Sequence, residues 1–125
     1  MAVNVLIVDD SAVMRKILER SLRQAQISIG NVLEAGDGVE ALQVLSANGG
    51  VGIIFSDVNM PNMDGLEFLK QLRETDGFKN IPVVMVTTEG TEAKVMQAIS
   101  LGAGGYIRKP FTSMQMQQVL AKILP

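Results

Sequence analysis

Short, unbroken apolar runs alternate along this chain with longer stretches in which apolar residues recur every three or four positions. Val3 to Val8 is rich in β-branched residues and carries no charge, which predicts a strand buried on both faces. Ser11 to Ala25 then sets Met14, Ile17, Leu18, Ser21, Leu22 and Ala25 at helical spacing, with Arg15, Lys16, Glu19, Arg20 and Arg23 on the other side. Asn31 to Ala35 predicts a second strand, Gly36-Asp37-Gly38 a turn, and Val39 to Ala47 a second helix with Ala41, Leu42 and Leu45 inward. Asn48-Gly49-Gly50 stops that helix, since glycine accepts the left-handed geometry of a helix end.

The third strand is Val51 to Ser56. Asp64 and Glu67 have the spacing of a capping box, so the third helix is expected from there to about Thr75, burying Leu66, Leu69 and Leu72. Ile81 to Val86 predicts the fourth strand, with Pro82 near its start, where a missing donor is tolerated. Thr91 to Leu101 is expected as a fourth helix, with Met96 and Ile99 on its buried face and Val95 towards the rim. Gly105 to Arg108 is a brief fifth strand. Thr112 and Gln115 open the last helix with capping-box spacing, and its stripe is Met116, Leu120, Ile123 and Leu124.

Five strand-helix units with apolar strands predict an α/β fold, a doubly wound parallel sheet with helices on both faces. A length of 125 residues fits one domain over 1–125. In such sheets a ligand binds at the carboxyl ends of the strands, where strand order reverses. Chemistry collects there. The first strand runs into Asp9-Asp10, the third into Asp57, the fourth into Thr87-Thr88, and the fifth into Lys109 before Pro110. Each could simply cap a helix or form a turn; all of them converge on one edge of the sheet.

Two carboxylates ~5 Å apart repel by roughly 3 kcal/mol at an effective dielectric near 20. Three around one cleft therefore call for protonation or a cation. The chain has no histidine and no cysteine, so the donors are hard oxygens, which favour Mg²⁺ or Mn²⁺ over zinc or copper. Mg²⁺ takes one or two carboxylates together with phosphate oxygens, and a phosphoryl group would also give Thr87 and Lys109 a purpose. An aspartate carboxylate can itself be the nucleophile that receives such a group.

The same two absences exclude Ser-His-Asp hydrolysis, disulfide frameworks and thiolate zinc sites. A net charge of −2 provides no basic field for nucleic acid. No apolar run approaches the ~20 residues of a membrane span, and Met1-Ala2 leads straight into the first strand without a signal peptide. A soluble, cytoplasmic protein is expected. With four Phe and one Tyr, its core must be mainly aliphatic and methionine.

Val8-Asp9-Asp10-Ser11, Ser56-Asp57-Val58-Asn59-Met60-Pro61, Asp64-Gly65, Thr87-Thr88-Glu89-Gly90 and Tyr106-Ile107-Arg108-Lys109-Pro110-Phe111, in this order and spacing, closely resemble the receiver domain of two-component response regulators. The likeness spans essentially the whole chain and is strongest to the stand-alone chemotaxis receivers. It implies a five-stranded sheet in the flavodoxin-like class, with the strand order 2-1-3-4-5 that the pattern alone does not yield. It implies Asp57 as phosphoacceptor, Asp10 and Asp57 as direct Mg²⁺ ligands, Asp9 as a ligand through water, and Asn59 as a ligand through its backbone carbonyl. Lys109, across a peptide bond to Pro110 that is usually cis in the family, would pair with phosphoryl oxygens. Thr87 would hydrogen-bond them, and Tyr106 would turn inward behind it. Asn59 and Glu89 hold the flanking positions that would tune phosphoryl lifetime.

A histidine kinase would supply the phosphoryl group, a phosphatase could drain it, and Arg15, Lys16 and Met14 on the first helix offer a kinase contact. Output would come from a monomer binding a partner through the fourth helix, fifth strand and fifth helix, at Val95, Tyr106, Met114 and Val119. The flagellar motor switch is the first candidate and a role as phosphorelay intermediate the second. Val58 departs from the tryptophan often found in motor-binding members. An aspartyl-phosphate phosphatase of the haloacid-dehalogenase type would need a second aspartate where Asn59 stands. In an FMN-binding flavodoxin, Asp9-Asp10 would repel the flavin phosphate.

Overall fold

The computed structural model describes residues 2–25, 28–88 and 90–123. Its elements run β1 (Val3–Val8), α1 (Ala12–Gln24), β2 (Ile29–Ala35), α2 (Gly38–Ala47), β3 (Val51–Ser56), α3 (Gly65–Arg73), β4 (Val83–Thr87), α4 (Glu92–Ser100), β5 (Gly105–Arg108) and α5 (Ser113–Ile123). The strands form one sheet in the order β2-β1-β3-β4-β5, every pair parallel. The order reverses between β1 and β3, which locates the switch point.

Strand alternation explains the unbroken apolar runs. Val5 and Ile7 of β1 join Ile53, Phe55, Val84 and Val86 on one face, under Leu18 and Leu22 of α1 and Met116 and Leu120 of α5. Leu6 and Val8 join Ile54, Val83 and Met85 on the other, under Ala41 and Leu45 of α2, Phe68, Leu69 and Leu72 of α3, and Ala98 of α4. Both sides of each central strand are dry, so neither can afford a polar residue until the strand ends.

Side chains start the helices where the sequence says they should. Ser11, Asp37, Asp64 and Thr91 each accept a hydrogen bond from the amide three residues on. Thr112 and Gln115 bond reciprocally, amide to side chain in both directions, at 2.9 and 3.1 Å. In the loops at the amino ends of β3 and β4, a side chain added at Gly49 or Gly77 would meet nothing within 4 Å.

Four expectations need correction. Met96 and Ile99 of α4 are 61% and 55% exposed, whereas Val95 is half-buried and Ala98 fully buried. The helix is turned by about one position from the expected face. Ile17, placed on the inner stripe of α1, is 43% exposed, because Met14, Leu18, Leu22 and Ala25 form the face that packs on the sheet. β4 begins at Val83, so Pro82 lies outside it. Phe68, absent from the expected core of α3, is fully buried there. Leu124, expected on the α5 stripe, lies outside the described residues.

Candidate functional site

Asp9 and Asp10 follow β1, and Asp57 follows β3, so the switch point itself delivers the acids. The Asp57 amide donates to Val8 O at 2.9 Å, which ties the two strand ends together. Carboxylate oxygens of Asp9, Asp10 and Asp57 lie within 4.8 Å of one another. Asp9 is 1% exposed, the Asp57 side chain 12%, and Asp10 faces solvent. Buried carboxylates need partners. Asp57 Oδ1 accepts from the Val58 amide at 2.7 Å and Asp9 Oδ1 from the Ser11 amide at 2.9 Å.

Their second oxygens share a cation. Lys109 Nζ donates to Asp9 Oδ2 at 2.9 Å and to Asp57 Oδ2 at 3.3 Å. Its side chain is only 11% exposed, and its amide bonds Thr87 O at 2.9 Å, which ties the end of β5 to that of β4. The Lys109–Pro110 peptide is cis. Thr87 is fully buried at the end of β4, and Tyr106 is half-buried, packed against the cluster under α2, α3 and α4. Asp9, Asp10, Asp57 and Lys109 thus meet directly, with Thr87 held beside Lys109.

The loop after β3 is fixed from below. A Cβ at Gly65 would collide with the Asp57 carbonyl oxygen, and the Gly65 amide donates to Val58 O at 2.8 Å. α3 therefore starts pressed against the backbone that carries Asp57, and only glycine fits. Asn62, at φ 65°, bonds Asp37 Oδ2 at 2.7 Å and joins this loop to the start of α2. The Asp37 carboxyl is held below its usual range, first by the Glu40 amide and then by Asn62. The Asn59 side chain is exposed on the same loop. Glu89 lies outside the described residues.

Helix α1 corrects its expected role in part. Lys16 is 67% exposed, but Arg15 is 19% exposed and turned inward, with Nε to Glu34 Oε1 at 2.8 Å and Nη1 to Asp9 O at 2.6 Å. Of the expected partner surface, Met114 is 66% exposed and Val95 and Val119 are half-buried. Val119 leans over Gly105, where an added Cβ would lie 2.8 Å from its Cγ1. Met96 and Ile99 are the more exposed apolar residues on α4. The inward Arg15 and the close approach at Gly65 had no signal in the sequence beyond the residue types.

The donor set fits a hard divalent ion. Octahedral coordination at ~2.1 Å brings ligand oxygens to roughly 3–4 Å from one another, and oxygens of the three carboxylates here already lie within 4.8 Å. The buried Asp9, the largely buried Asp57 and the exposed Asp10 offer carboxylate oxygen, and the chain has no histidine or cysteine to offer a softer nitrogen or thiolate.

Fold and site together define a doubly wound α/β protein with an acidic centre at its switch point and a buried lysine reaching into it. The chain belongs to the response regulator receiver domain family, which matches residues 5–121. It is 42% identical over 119 residues to the chemotaxis protein CheY1 of Helicobacter pylori, covering 95% of this chain and 94% of that one. It is 41% identical over 119 residues to a CheY homolog of Campylobacter jejuni, covering 95% and 90%. Among solved structures, chemotaxis protein CheY4 of Vibrio cholerae superposes with a TM-score of 0.86 at 35% identity, covering 99% and 100%. A CheX–CheY complex of Borrelia burgdorferi with BeF3 and Mg²⁺ gives 0.88 at 31% identity, covering 98% and 90%. The CheY-like fold with strand order 2-1-3-4-5 is thereby established. Among the described residues, no helix is long and apolar enough to cross a membrane.

Proposed function

We propose that this chain is a chemotaxis-type response regulator that accepts a phosphoryl group on Asp57 from a histidine kinase. The observation that carries the reading is the shared Lys109 ammonium between Asp9 and Asp57, beside a third carboxylate. A lone acid would need no such surroundings. An Asp57 carboxylate oxygen attacks phosphorus, the bond from phosphorus to the donor nitrogen breaks, and an acyl phosphate forms. Asp10, Asp57 and the Asn59 carbonyl, with Asp9 behind them, would hold Mg²⁺, which would supply positive charge to offset the incoming oxygens. Mn²⁺ meets the same requirement.

The product carries roughly −1.5 to −2 charge and three strong acceptor oxygens. Lys109 is already in reach of Asp57, and Thr87 sits at the adjacent strand end. Movement of Thr87 towards a phosphoryl oxygen would free space beside Tyr106, so the two states of the domain would differ on the face formed by α4, β5 and α5. A partner shifts that balance only through its different affinity for the two states, and ~2 kcal/mol is enough for tens-fold control. The relatives are named as chemotaxis proteins, and we take the flagellar motor switch as that partner, with a cytoplasmic location; a phosphorelay step is the alternative.

Incubation with acetyl phosphate and Mg²⁺ should label the wild-type protein and leave Asp57→Asn unlabelled. Labelling of the variant at wild-type level would overturn the reading. With a beryllofluoride-loaded sample, the motor switch protein should be retained only when Asp57 is present. We assign the exposed Asn59 side chain, two residues past Asp57, the role of guiding or blocking an attacking water. Asn59→Arg should therefore change the rate of label loss while leaving Mg²⁺ affinity as it was.

A further inference from the structure

Asp9 is held at each of its polar positions. Its amide donates to Ala35 O at 3.0 Å, Oδ1 accepts from Ser11, Oδ2 accepts from Lys109, and its carbonyl accepts from Arg15 Nη1. The last of these is not supplied by secondary structure. The β1–β2 pairing ends at Val8 and Ala35, so the Asp9 carbonyl has passed the end of its ladder. A guanidinium from α1 takes over. That guanidinium is itself fixed, because Arg15 Nε donates to Glu34 Oε1 at 2.8 Å while Glu34 Oε2 accepts from Lys16 Nζ at 3.0 Å. A continuous connection therefore runs from β2, through one side chain of α1, to the backbone that carries the two leading carboxylates.

We propose that Arg15, held by Glu34, is a positioning residue for the divalent cation site, fixing the Asp9 carbonyl so that the Asp9-Asp10 pair faces Asp57. This rests on the cation reading above. The bonds give the proposal a sign that charge alone does not. Arg15 brings positive charge towards an acidic centre, so by Coulomb's law its removal would tighten cation binding. As a support for the ligand-bearing turn, its removal weakens binding, because partners behind metal ligands typically contribute 10–100-fold in affinity. Glu34 adds a second contrast. Gln at 34 keeps an oxygen for Arg15 Nε but loses the charge, whereas Ala loses both.

The test is calorimetric titration of Mg²⁺ into wild type and variants, with thermal unfolding in metal-free buffer as a check on each fold. Arg15→Ala should weaken binding about tenfold. Glu34→Ala should weaken it in the same sense, and Glu34→Gln should stay close to wild type. Arg15→Ala combined with Glu34→Ala should be no weaker than Arg15→Ala alone, the mark of two residues acting through one connection. Lys16→Gln, which touches Glu34 but not Asp9, should bind as wild type. Unchanged or tighter binding in Arg15→Ala overturns the proposal. So does Glu34→Gln as weak as Glu34→Ala, which would make charge the cause, and this pair decides the matter even if Arg15→Ala does not fold. Wild type that binds no Mg²⁺ overturns the cation reading itself, a distinct result.

Discussion

Two arginines hold the two ends of this sheet, and they keep different company. At the carboxyl ends, Arg15 binds the Asp9 carbonyl while paired with Glu34, next to the acidic centre. At the amino ends, Arg73 closes α3 by donating to three carbonyls, Lys79 O at 3.1 Å, Ile81 O at 2.9 Å and Gly102 O at 2.8 Å. Gly102, at φ +100°, leaves room for the Arg73 side chain that a Cβ would deny. Both side chains satisfy carbonyls that helices and strands leave over. Arg73 does it without a carboxylate, and burial alone pushes its pKa down. Pinning a loop is thus a common device, and what couples it to the site at one end is that the pinned carbonyl belongs to Asp9.

The comparison can be broken most directly by removing each arginine. Arg73→Ala leaves three carbonyls without their donor and should cost roughly 2 kcal/mol in urea denaturation. It should leave Mg²⁺ affinity at the wild-type value. Arg15→Ala should cost less stability, roughly 1 kcal/mol, while carrying the loss of cation affinity. If both variants lose stability and affinity in the same proportion, the two ends are not distinct.

Acid sharpens the contrast. Hydrogen bonds from Lys16 and then Arg15 hold the Glu34 carboxyl below its ordinary 4.5. A carboxyl lowered by folding contributes stability that is complete above its unfolded pKa and is lost as pH falls through the lower folded one. Glu34→Gln should therefore be less stable than wild type at neutral pH and show a shallower decline below pH 4.5. Chemical denaturation at several pH values measures both. Arg73→Ala should keep the wild-type acid profile, displaced downward.

The smallest effect belongs to a pair that pins nothing. Lys79 and Asp76 meet at 3.6 Å with the Asp76 side chain 99% exposed. Asp76→Ala should leave both the denaturation midpoint and cation binding unchanged within error, since solvent already screens such pairs.

What the sequence made legible was backbone and short side chains. The strands were visible because both faces of the sheet are covered, so apolar residues run unbroken, and the helix starts because Ser11, Asp37, Asp64 and Thr91 have one short way to reach an amide. Asp9, Asp10, Asp57, Thr87 and Lys109 could be brought together because strand ends meet wherever a parallel sheet ends. Helix α4 was misjudged for a physical reason. Val95, Met96, Ala98 and Ile99 leave apolar residues pointing in most directions from nine residues of helix, so no stripe stands out. The long side chains of the helices were beyond reach. Whether Arg15 lies outward for a partner or folds back onto Asp9 depends on where β2 places Glu34, and spacing along α1 carries none of that.

Gly49 and Gly77 have a practical side. They lie in the loops that lead into the amino ends of β3 and β4, the edge opposite Asp57, and a side chain added at either would meet nothing within 4 Å. A dye attached through a cysteine at position 49 or 77 would be chemically unique in a chain that has no cysteine of its own. Gly50, at φ +80°, is the neighbour to leave alone. Such a labelled protein could report partner binding by fluorescence anisotropy without a probe on either the acidic centre or the α4–β5–α5 face.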